Sequence, residues 1–221
     1  MNQKYKENIF MIFGRYFLII LLSLMSSCSI PDLHDPKTLH EAKKKAILLS
    51  ELNKEFMYSM IWLYVDDDND TFTGWVKETY PNQSLKNLGY FKNGQKQGLW
   101  LAWHKNKKTA SKIEWNKDRL SGNYVHWYEN GNLHASGQTV YGEMDGEWKE
   151  YYKNGQLQAH SLTQMGKCIW KKIWKIDGEV CAESTVSNGQ GEFIEYDEDG
   201  NRVRKTIFKE GVEIKLSSPQ G

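Results

Sequence analysis

The residue types that most often carry chemistry in proteins are scattered along this chain of 221 residues. None of the six histidines has a metal-ligand spacing beside a carboxylate, and His104 and His126 lie within aromatic runs, which favours packing. No serine lies in a nucleophile-elbow pattern, and no glycine-rich phosphate motif is present. Glu147, Glu150 and Glu192 fall at strand positions that do not indicate a catalytic pair. We therefore expect no enzyme, no catalytic residue, no metal and no cofactor.

An acidic segment, 66–70, is the one stretch whose spacing resembles a calcium loop, with aspartates at 66, 68 and 70. An EF-hand loop that starts at Asp66 requires glycine at its sixth position and a bidentate glutamate at its twelfth. This chain has Thr71 and Lys77 there. We therefore interpret the segment as a solvated hairpin tip.

The first 27 residues have the features of a signal peptide. Basic residues precede an apolar run at 17–25, which is far shorter than the roughly 20 residues that span a bilayer as a helix. Two small residues, Ser26 and Ser27, come directly before Cys28. This arrangement resembles the lipobox of bacterial lipoproteins, although Met25 stands where that pattern prefers leucine. A plain secretory signal, with Cys28 incidental, is the alternative.

The lipobox resemblance has consequences for location. It implies cleavage before Cys28, a diacylglycerol on the Cys28 sulfur, and usually a third acyl chain, such as palmitate, on the new amino group. Two or three acyl chains hold a protein stably on a membrane. Ser29, at the second mature position, resembles the outer-membrane sorting pattern. We expect an exported protein that is lipid-anchored in the cell envelope, at the outer membrane.

Export would place Cys168 and Cys181 where disulfides can form. If the chain reverses at Asp177-Gly178, Cys181 faces the region of Trp174 and Cys168 faces the region of Ser187. A bridge between the two cysteines would require an irregular repeat at this point. Two buried free thiols are the alternative.

The composition favours strands over nucleic-acid binding. A net charge of +1 gives no basic surface, so we expect no nucleic-acid partner. Nine tryptophans, twelve tyrosines and eight phenylalanines favour β-structure, and eighteen glycines supply turns.

A short tether, 28–35, is followed by apolar residues at helical spacing over 36–60. Asp35-Pro36 predicts the helix start, and a capping box from Thr38 to Glu41 is the alternative. We expect this amphipathic helix to cover an exposed sheet edge of the repeats; a membrane-surface or partner helix is the other interpretation.

Residues 61–216 repeat a unit of 24 residues, and residues 217–221 form a tail. One series of turn residues is Asn82, Asn106, Asn130, Asn154, Asp177 and Asp199, and a second is Gly94, Asp118, Gly142, Gly166, Gly189 and Gly211. Asn-Gly and Asp-Gly between aromatic runs predict hairpin turns in which both central residues have positive φ. Gln83 and Lys107 replace the glycine in two turns, which we expect to be wider or of type I.

The two series of turn residues predict a mainly β fold: an elongated, twisted antiparallel meander of eleven to thirteen strands built from tandem hairpins. Large rings at both alternating positions indicate either that the sheet is not flat and one-sided or that bulges reset the alternation. Glycines open the units, and we expect them to allow close approach of a neighbouring backbone or ring. These structural glycines are Gly74, Gly98, Gly122, Gly146 and Gly191.

The pattern of an opening glycine, spaced aromatic residues and Asn-Gly, as in Gly146-Glu147-Trp148-Lys149-Glu150-Tyr151-Tyr152-Lys153-Asn154-Gly155, resembles the MORN-repeat variant family of bacteria. The resemblance covers residues 72 to about 214 and implies the repeat fold. Members are often labelled antitoxin-like, a role that fits poorly with an exported chain. The family motif has no catalytic residues.

The leading functional hypothesis is a membrane-anchored, non-catalytic scaffold that binds a protein partner or an envelope component. The alternatives are an antitoxin-like or immunity component of a toxin–antitoxin pair, and a module that binds lipid or glycan through rows of aromatic rings.

Overall fold

A computed structural model describes residues 29–57, 61–197 and 199–214. The contacts divide the chain into two units, residues 1–31 and residues 32–221, and the architecture below is that of the second. Cys28 and the signal segment lie outside the described residues. Within the described part of the chain, no helix is long and apolar enough to cross a membrane.

The described chain has one α-helix, one short 3-10 helix and seventeen strands. Helix α1 spans Pro36–Lys45 and the 3-10 helix spans Leu49–Glu51. The strands are β1 Ile47–Leu48, β2 Asn53–Met57, β3 Ile61–Val65, β4 Gly74–Thr79, β5 Leu85–Lys92, β6 Gln95–Trp103, β7 Thr109–Asn116, β8 Arg119–Trp127, β9 Leu133–Val140, β10 Glu143–Met144, β11 Gly146–Tyr151, β12 Leu157–Gln164, β13 Lys167–Trp174, β14 Val180–Ser187, β15 Gln190–Tyr196, β16 Arg202–Lys209 and β17 Val212–Ile214.

The predicted antiparallel meander is confirmed. Strands β4 to β17 follow one another across a single sheet, with β10 as a short pairing beside β9. The parallel pair is β1 with β4, which covers the first edge of the meander. Strands β2 and β3 form a separate hairpin. Bulges interrupt most pairs near the ends of the aromatic runs, as between Glu150 and Tyr151, which confirms that the alternation is reset.

Helix α1 begins as predicted but is much shorter than predicted. The Asp35 carboxylate accepts hydrogen bonds from the backbone and hydroxyl of Thr38, at 2.8 and 2.7 Å, and Pro36 is the first helical residue. The helix ends at Lys45 because Ala46 turns to an extended ψ of 128°. The prediction of a helix over 36–60 is therefore wrong over 46–57, and residues 58–60 lie outside the described part of the chain.

The reason lies in tertiary packing. The apolar residues after Lys45 do not continue one helical stripe; Ile47, Leu49 and Leu52 instead pack on a cluster around Val76 and Phe91 in the sheet. Pairing with β4 also satisfies backbone groups at the sheet edge, which a helix could not do. Helix propensity is a weak preference that such burial overrides.

The helix and the β2–β3 hairpin cover opposite faces of the first repeats. Ala42 of α1 and Ala46, which follows the helix, pack with Leu88, Leu99 and Leu101, and we name this side the helix face. Residues Leu49, Leu52 and Tyr64 pack with Val76, Phe91 and Trp100, and we name this side the hairpin face. The helix thus covers a face of the repeats, while β1 covers the edge.

The two series of turn residues form two kinds of turn. At Asn154-Gly155 the loop has three residues and Gly155 has a φ of 91°; its backbone N donates to the carbonyl of Tyr152. At Met165-Gly166 the loop has two residues with φ values of 47° and 78°, as in a type I′ turn. The expectation of two positive φ angles at the Asn-Gly sites is therefore wrong, and the second series has that form instead.

Gln83 and Lys107 adopt the left-handed conformation in place of glycine, with φ values of 62° and 69°. Their turns keep the hydrogen bonds of the Asn-Gly turns, so they are not wider. A non-glycine residue in this conformation costs about 1 kcal/mol. The rest of the turn therefore has to compensate for that cost.

Hydrogen bonds from side chains connect each three-residue turn to the next repeat. A tyrosine or histidine just before the turn donates to a backbone carbonyl on the following unit. These bonds are 2.8 to 2.9 Å long and join Tyr80 to Trp103, His104 to Trp127, Tyr128 to Tyr151, and Tyr152 to Trp174.

The asparagines of the turns connect the same repeats a second time. The Asn106 side-chain oxygen accepts from the backbone N of Lys108, within its own turn, at 3.0 Å. Its amide group donates to the carbonyl of Glu129, in the next turn, at 2.7 Å. Asn130 and Asn154 repeat both bonds. The position thus requires an acceptor and a donor on one short side chain, which asparagine provides.

The opening glycines have more than one role. A Cβ added at Gly191 would overlap the carbonyl of Thr185, as close approach predicts. Nothing lies within 4 Å of a Cβ added at Gly146, so that expectation is wrong there. Gly146 instead has a φ of 89°, which favours glycine. A ring lies against a different glycine: a Cβ added at Gly137 would overlap the indole of Trp148.

This difference predicts unequal costs for two alanine substitutions. Gly146→Ala should destabilise the protein by about 1 kcal/mol, because only its φ is unfavourable. Gly137→Ala should destabilise it by about 2–3 kcal/mol, because the Trp148 ring must move. Urea unfolding of the two variants measures both losses. Equal losses, or a larger loss for Gly146→Ala, would contradict this assignment.

Candidate functional site

Cross-strand pairing arranges side chains of the hairpin face in continuous rows. In the first row, charged or imidazole side chains are separated by smaller side chains. The row runs through Glu78, Asn87, Ala102, Ser111, His126, Ala135, Glu150, Ala159 and Ile173. Glu78, Ala102, His126 and Glu150 are spaced by 24 residues, so each repeat contributes its equivalent position. We call this row the central row.

A second row on the same face carries the large rings. It runs through Gly89, Trp100, Ile113, Tyr124, Gly137, Trp148, Ser161 and Lys171. Trp148 lies against Gly137 and its ring centroid is 5.1 Å from that of Tyr124. Trp100 lies against Gly89 in the same way. Rings therefore flank the small residues of the central row and leave space above them.

Three histidines of this face form a cluster. The Nδ1 atoms of His126 and His134 are 2.9 Å apart, so one ring donates to the other. Burial lowers the pKa of His126, and the neighbouring His134 and His104 lower it further. The Tyr128 ring stacks on His134 with centroids 4.3 Å apart. His104 takes the tyrosine role in the inter-repeat hydrogen bond.

A cavity of about 390 Å³ lies between the hairpin face and the covering N-terminal segment. Its lining includes Tyr64, Glu78, Lys96, Trp100 and Trp115. Glu78 accepts a short hydrogen bond from the Asn87 amide. Among the described residues, Trp100 Nε1 is the buried side-chain polar atom that has no hydrogen-bond partner.

A second cavity of about 320 Å³ lies further along the face, around Glu150, Lys171 and Glu195. Lys171 Nζ is 3.6 Å from the Glu150 carboxylate and 4.4 Å from the Phe193 ring centroid. Burial opposes ionisation of Glu195, but hydrogen bonds from Arg204 and Thr206 outweigh it, so its pKa is lowered. These charges are paired, which indicates recognition or stability rather than proton transfer.

The acidic segment closes its own turn. Asp66 Oδ1 accepts hydrogen bonds from the backbone N atoms of Asp68 and Asp70, at 3.2 and 3.0 Å. Across the described ranges, no three histidine, cysteine or acidic residues cluster as metal ligands would.

The sequence-predicted site residues do not come together at one place. Cys168 and Cys181 are buried free thiols that share one core cluster with Ile173 and Phe193. Gly98, Gly122, Gly146 and Gly191 have positive φ and lie on β6, β8, β11 and β15. Cys28 is outside the described residues.

The sequence reasoning missed the two cavities and the lining residues Glu78, Lys96, Trp100 and Trp115. The spacing of 24 residues between Glu78, His126 and Glu150 was the available signal for a shared face. The sequence did not show that the β2–β3 hairpin packs on that face.

Comparison with known proteins adds one finding. The family model of the MORN repeat variant matches residues 144–164. That segment holds β11, β12 and the Asn154-Gly155 turn between them. No curated protein matches the chain. The matched unit and its structural copies along the sheet support a MORN-repeat protein.

Proposed function

We propose that this chain is a non-catalytic scaffold whose hairpin face binds a partner protein. The central row carries the proposal, because small residues such as Ala135 and Ala159 leave a trough between charged and aromatic side chains. Trp and Tyr rings beside it offer the large contact areas that are typical of interface anchors. The MORN-repeat match is consistent with such a role.

The chemistry of the trough indicates the kind of partner. Glu150 and Lys171 are of opposite sign and lie in the same cavity. Glu150 belongs to the central row and Lys171 to the ring row. An extended segment of the partner that carries both charges, with apolar residues between them, would complement both rows. Electrostatic complementarity of this kind gives specificity more than affinity.

A matched pair of charge reversals tests this proposal. Glu150→Lys changes the hairpin face, whereas Glu147→Lys changes the helix face of the same strand. Each wild-type glutamate lies near one lysine, Lys171 or Lys149, and Glu147 also contacts His160, so each variant loses at least one ion pair. Cross-linking in envelope extracts, followed by mass spectrometry, should show a partner with wild type and Glu147→Lys and a loss of at least tenfold with Glu150→Lys. Equal recovery with both variants, or no specific partner with wild type, would refute the proposal.

We further propose that Cys28 carries a lipid that anchors the scaffold in the cell envelope, at the outer membrane. Support comes from the basic residues, the short apolar run and the small residues before Cys28. Acyl chains contribute about 0.8 kcal/mol per buried methylene, so two or three are sufficient for stable anchoring.

Substitution of Cys28 tests the anchor. Cys28→Ser should move the protein from the membrane fraction to the soluble fraction and abolish labelling with radioactive palmitate. Cys168→Ala, which removes a buried thiol, is the control and should remain in the membrane fraction. Continued labelling of Cys28→Ser would show that the lipid is not on this residue.

A further inference from the structure

Two hydrogen-bond donors in the 390 Å³ cavity lack an acceptor. Trp100 is only 8% exposed, and its indole Nε1 has no partner among the described residues. A buried donor left without a partner costs roughly 1–3 kcal/mol. An unpartnered buried donor in a folded protein requires an explanation. A ligand that accepts its hydrogen bond would provide that explanation.

The second donor is the ammonium group of Lys96. Its Nζ is 4.5 Å from the ring centroids of both Trp100 and Trp115. Burial lowers the pKa of Lys96, and the charges of Asp118 and Glu78 only partly oppose this. No carboxylate of the described residues lies within ion-pair distance of Nζ. The two rings hold the ammonium in place, and its charge would be stabilised by an anion.

The rest of the lining offers acceptors. Glu78 provides a carboxylate that is oriented by Asn87, and Ser111 provides a hydroxyl group. Tyr64 also lines the cavity, and burial raises its pKa, so its hydroxyl stays neutral. A ligand would therefore meet donors on Lys96 and Trp100, and acceptors on Glu78 and its neighbours.

The entrance of the cavity attracts negative charge. A depression of about 540 Å³ shares Tyr64, Lys96 and Trp115 with the cavity, and its other charged residues are Lys54, Lys117, Arg119 and Asp118. Four cations against one carboxylate at this opening would raise the local concentration of an anion. The net charge of the whole chain, +1, does not show this local excess of positive charge.

We propose that this cavity binds a small organic anion that also carries hydroxyl or ammonium groups, the chemistry shared by sugar acids, sugar phosphates and acidic amino acids. The acidic group of the ligand accepts from Trp100 Nε1 and pairs with Lys96. Its hydroxyl or ammonium groups donate to Glu78 and Ser111. A cavity of this volume lies within the usual range for small-molecule sites. The site does not depend on the partner protein proposed above.

Calorimetry with the intact protein tests the proposal. The probes are glucuronate, glucose 6-phosphate and glutamate, with glucose as the neutral match for the first two. We expect at least one anion to bind, and glucose to bind at least tenfold more weakly. Trp100→Phe keeps a ring but loses the Nε1 donor, so the affinity for the anion should fall about tenfold. Absence of binding by all three anions would overturn the proposal.

A second substitution guards against misfolding of the first. Lys96→Gln should also weaken binding at least tenfold, because it removes the charge and keeps a polar side chain. Lys112→Gln lies on the helix face in the neighbouring strand and is the matched control, with unchanged affinity expected. If both lysine variants bind the anion as wild type does, the cavity assignment is wrong.

Discussion

The structure depends on the hydrogen bond that a side chain of one repeat donates to a backbone carbonyl of the next. Tyr80, His104, Tyr128 and Tyr152 make this bond in turn, and the turn asparagines make another beside it. Sheet pairing alone joins neighbouring strands, whereas these bonds fix each turn against the next unit. A buried carbonyl without a partner is costly, so each unit needs its neighbour.

The bonds also mark where the regular repeat ends. Lys175 stands where the next tyrosine would be, and its ammonium is 3.1 Å from Glu179 in the same turn. Asp177 stands where asparagine would be, and its carboxylate accepts from Glu179 N but has no group to donate. Beyond this point an apolar cluster that includes both buried cysteines holds the strands together.

The fixed stacking of repeats produces the surface on which binding is proposed. Because equivalent residues recur every 24 positions, a small residue on one strand lies beside a large ring on the next. Rows of rings and a trough of small residues follow from that spacing. Charged and imidazole side chains in the trough then differ from unit to unit, which allows one scaffold to present distinct sites along its length.

Much of the fold could be predicted from sequence because its determinants are local and repeated. The two series of turn residues predicted the meander and the chain reversals correctly. The helix end at Lys45 could not be predicted, because burial of Ile47 and Leu49 on the sheet decides it. The three-residue turn at Asn154-Gly155 occurs together with a hydrogen bond from Asn154 to the next repeat, which the sequence of one unit does not show.

The candidate sites were less predictable than the fold. The cavity around Trp100 forms between the sheet and the β2–β3 hairpin, and Tyr64 lines it from that hairpin, which does not pair with the repeat sheet. The close approach expected at Gly146 occurs at Gly137, because the register of β9 with β11 places the Trp148 ring over Gly137. Local spacing predicts strands, but contacts across faces require the register.

The most direct measurement compares the unfolding free energies of Tyr152→Phe and Tyr151→Phe. Tyr152 is fully buried and donates to the Trp174 carbonyl at 2.8 Å, whereas the hydroxyl of Tyr151 has no hydrogen bond within the described chain. Loss of the inter-repeat bond should cost about 1–2 kcal/mol in Tyr152→Phe, and Tyr151→Phe should change stability by less than about 0.5 kcal/mol.

The dependence of folding stability on pH tests the same claim a second time. Burial raises the pKa of Tyr152 to about 12, above its ordinary value of 10. The contribution of the protonated Tyr152 hydroxyl to folding stability is therefore complete below pH 10 and is lost as the pH rises toward 12. Tyr152→Phe should lose this part of the alkaline destabilisation. Equal stabilities of the two variants at pH 7, with unchanged alkaline unfolding, would contradict the claim that these bonds hold the repeats together.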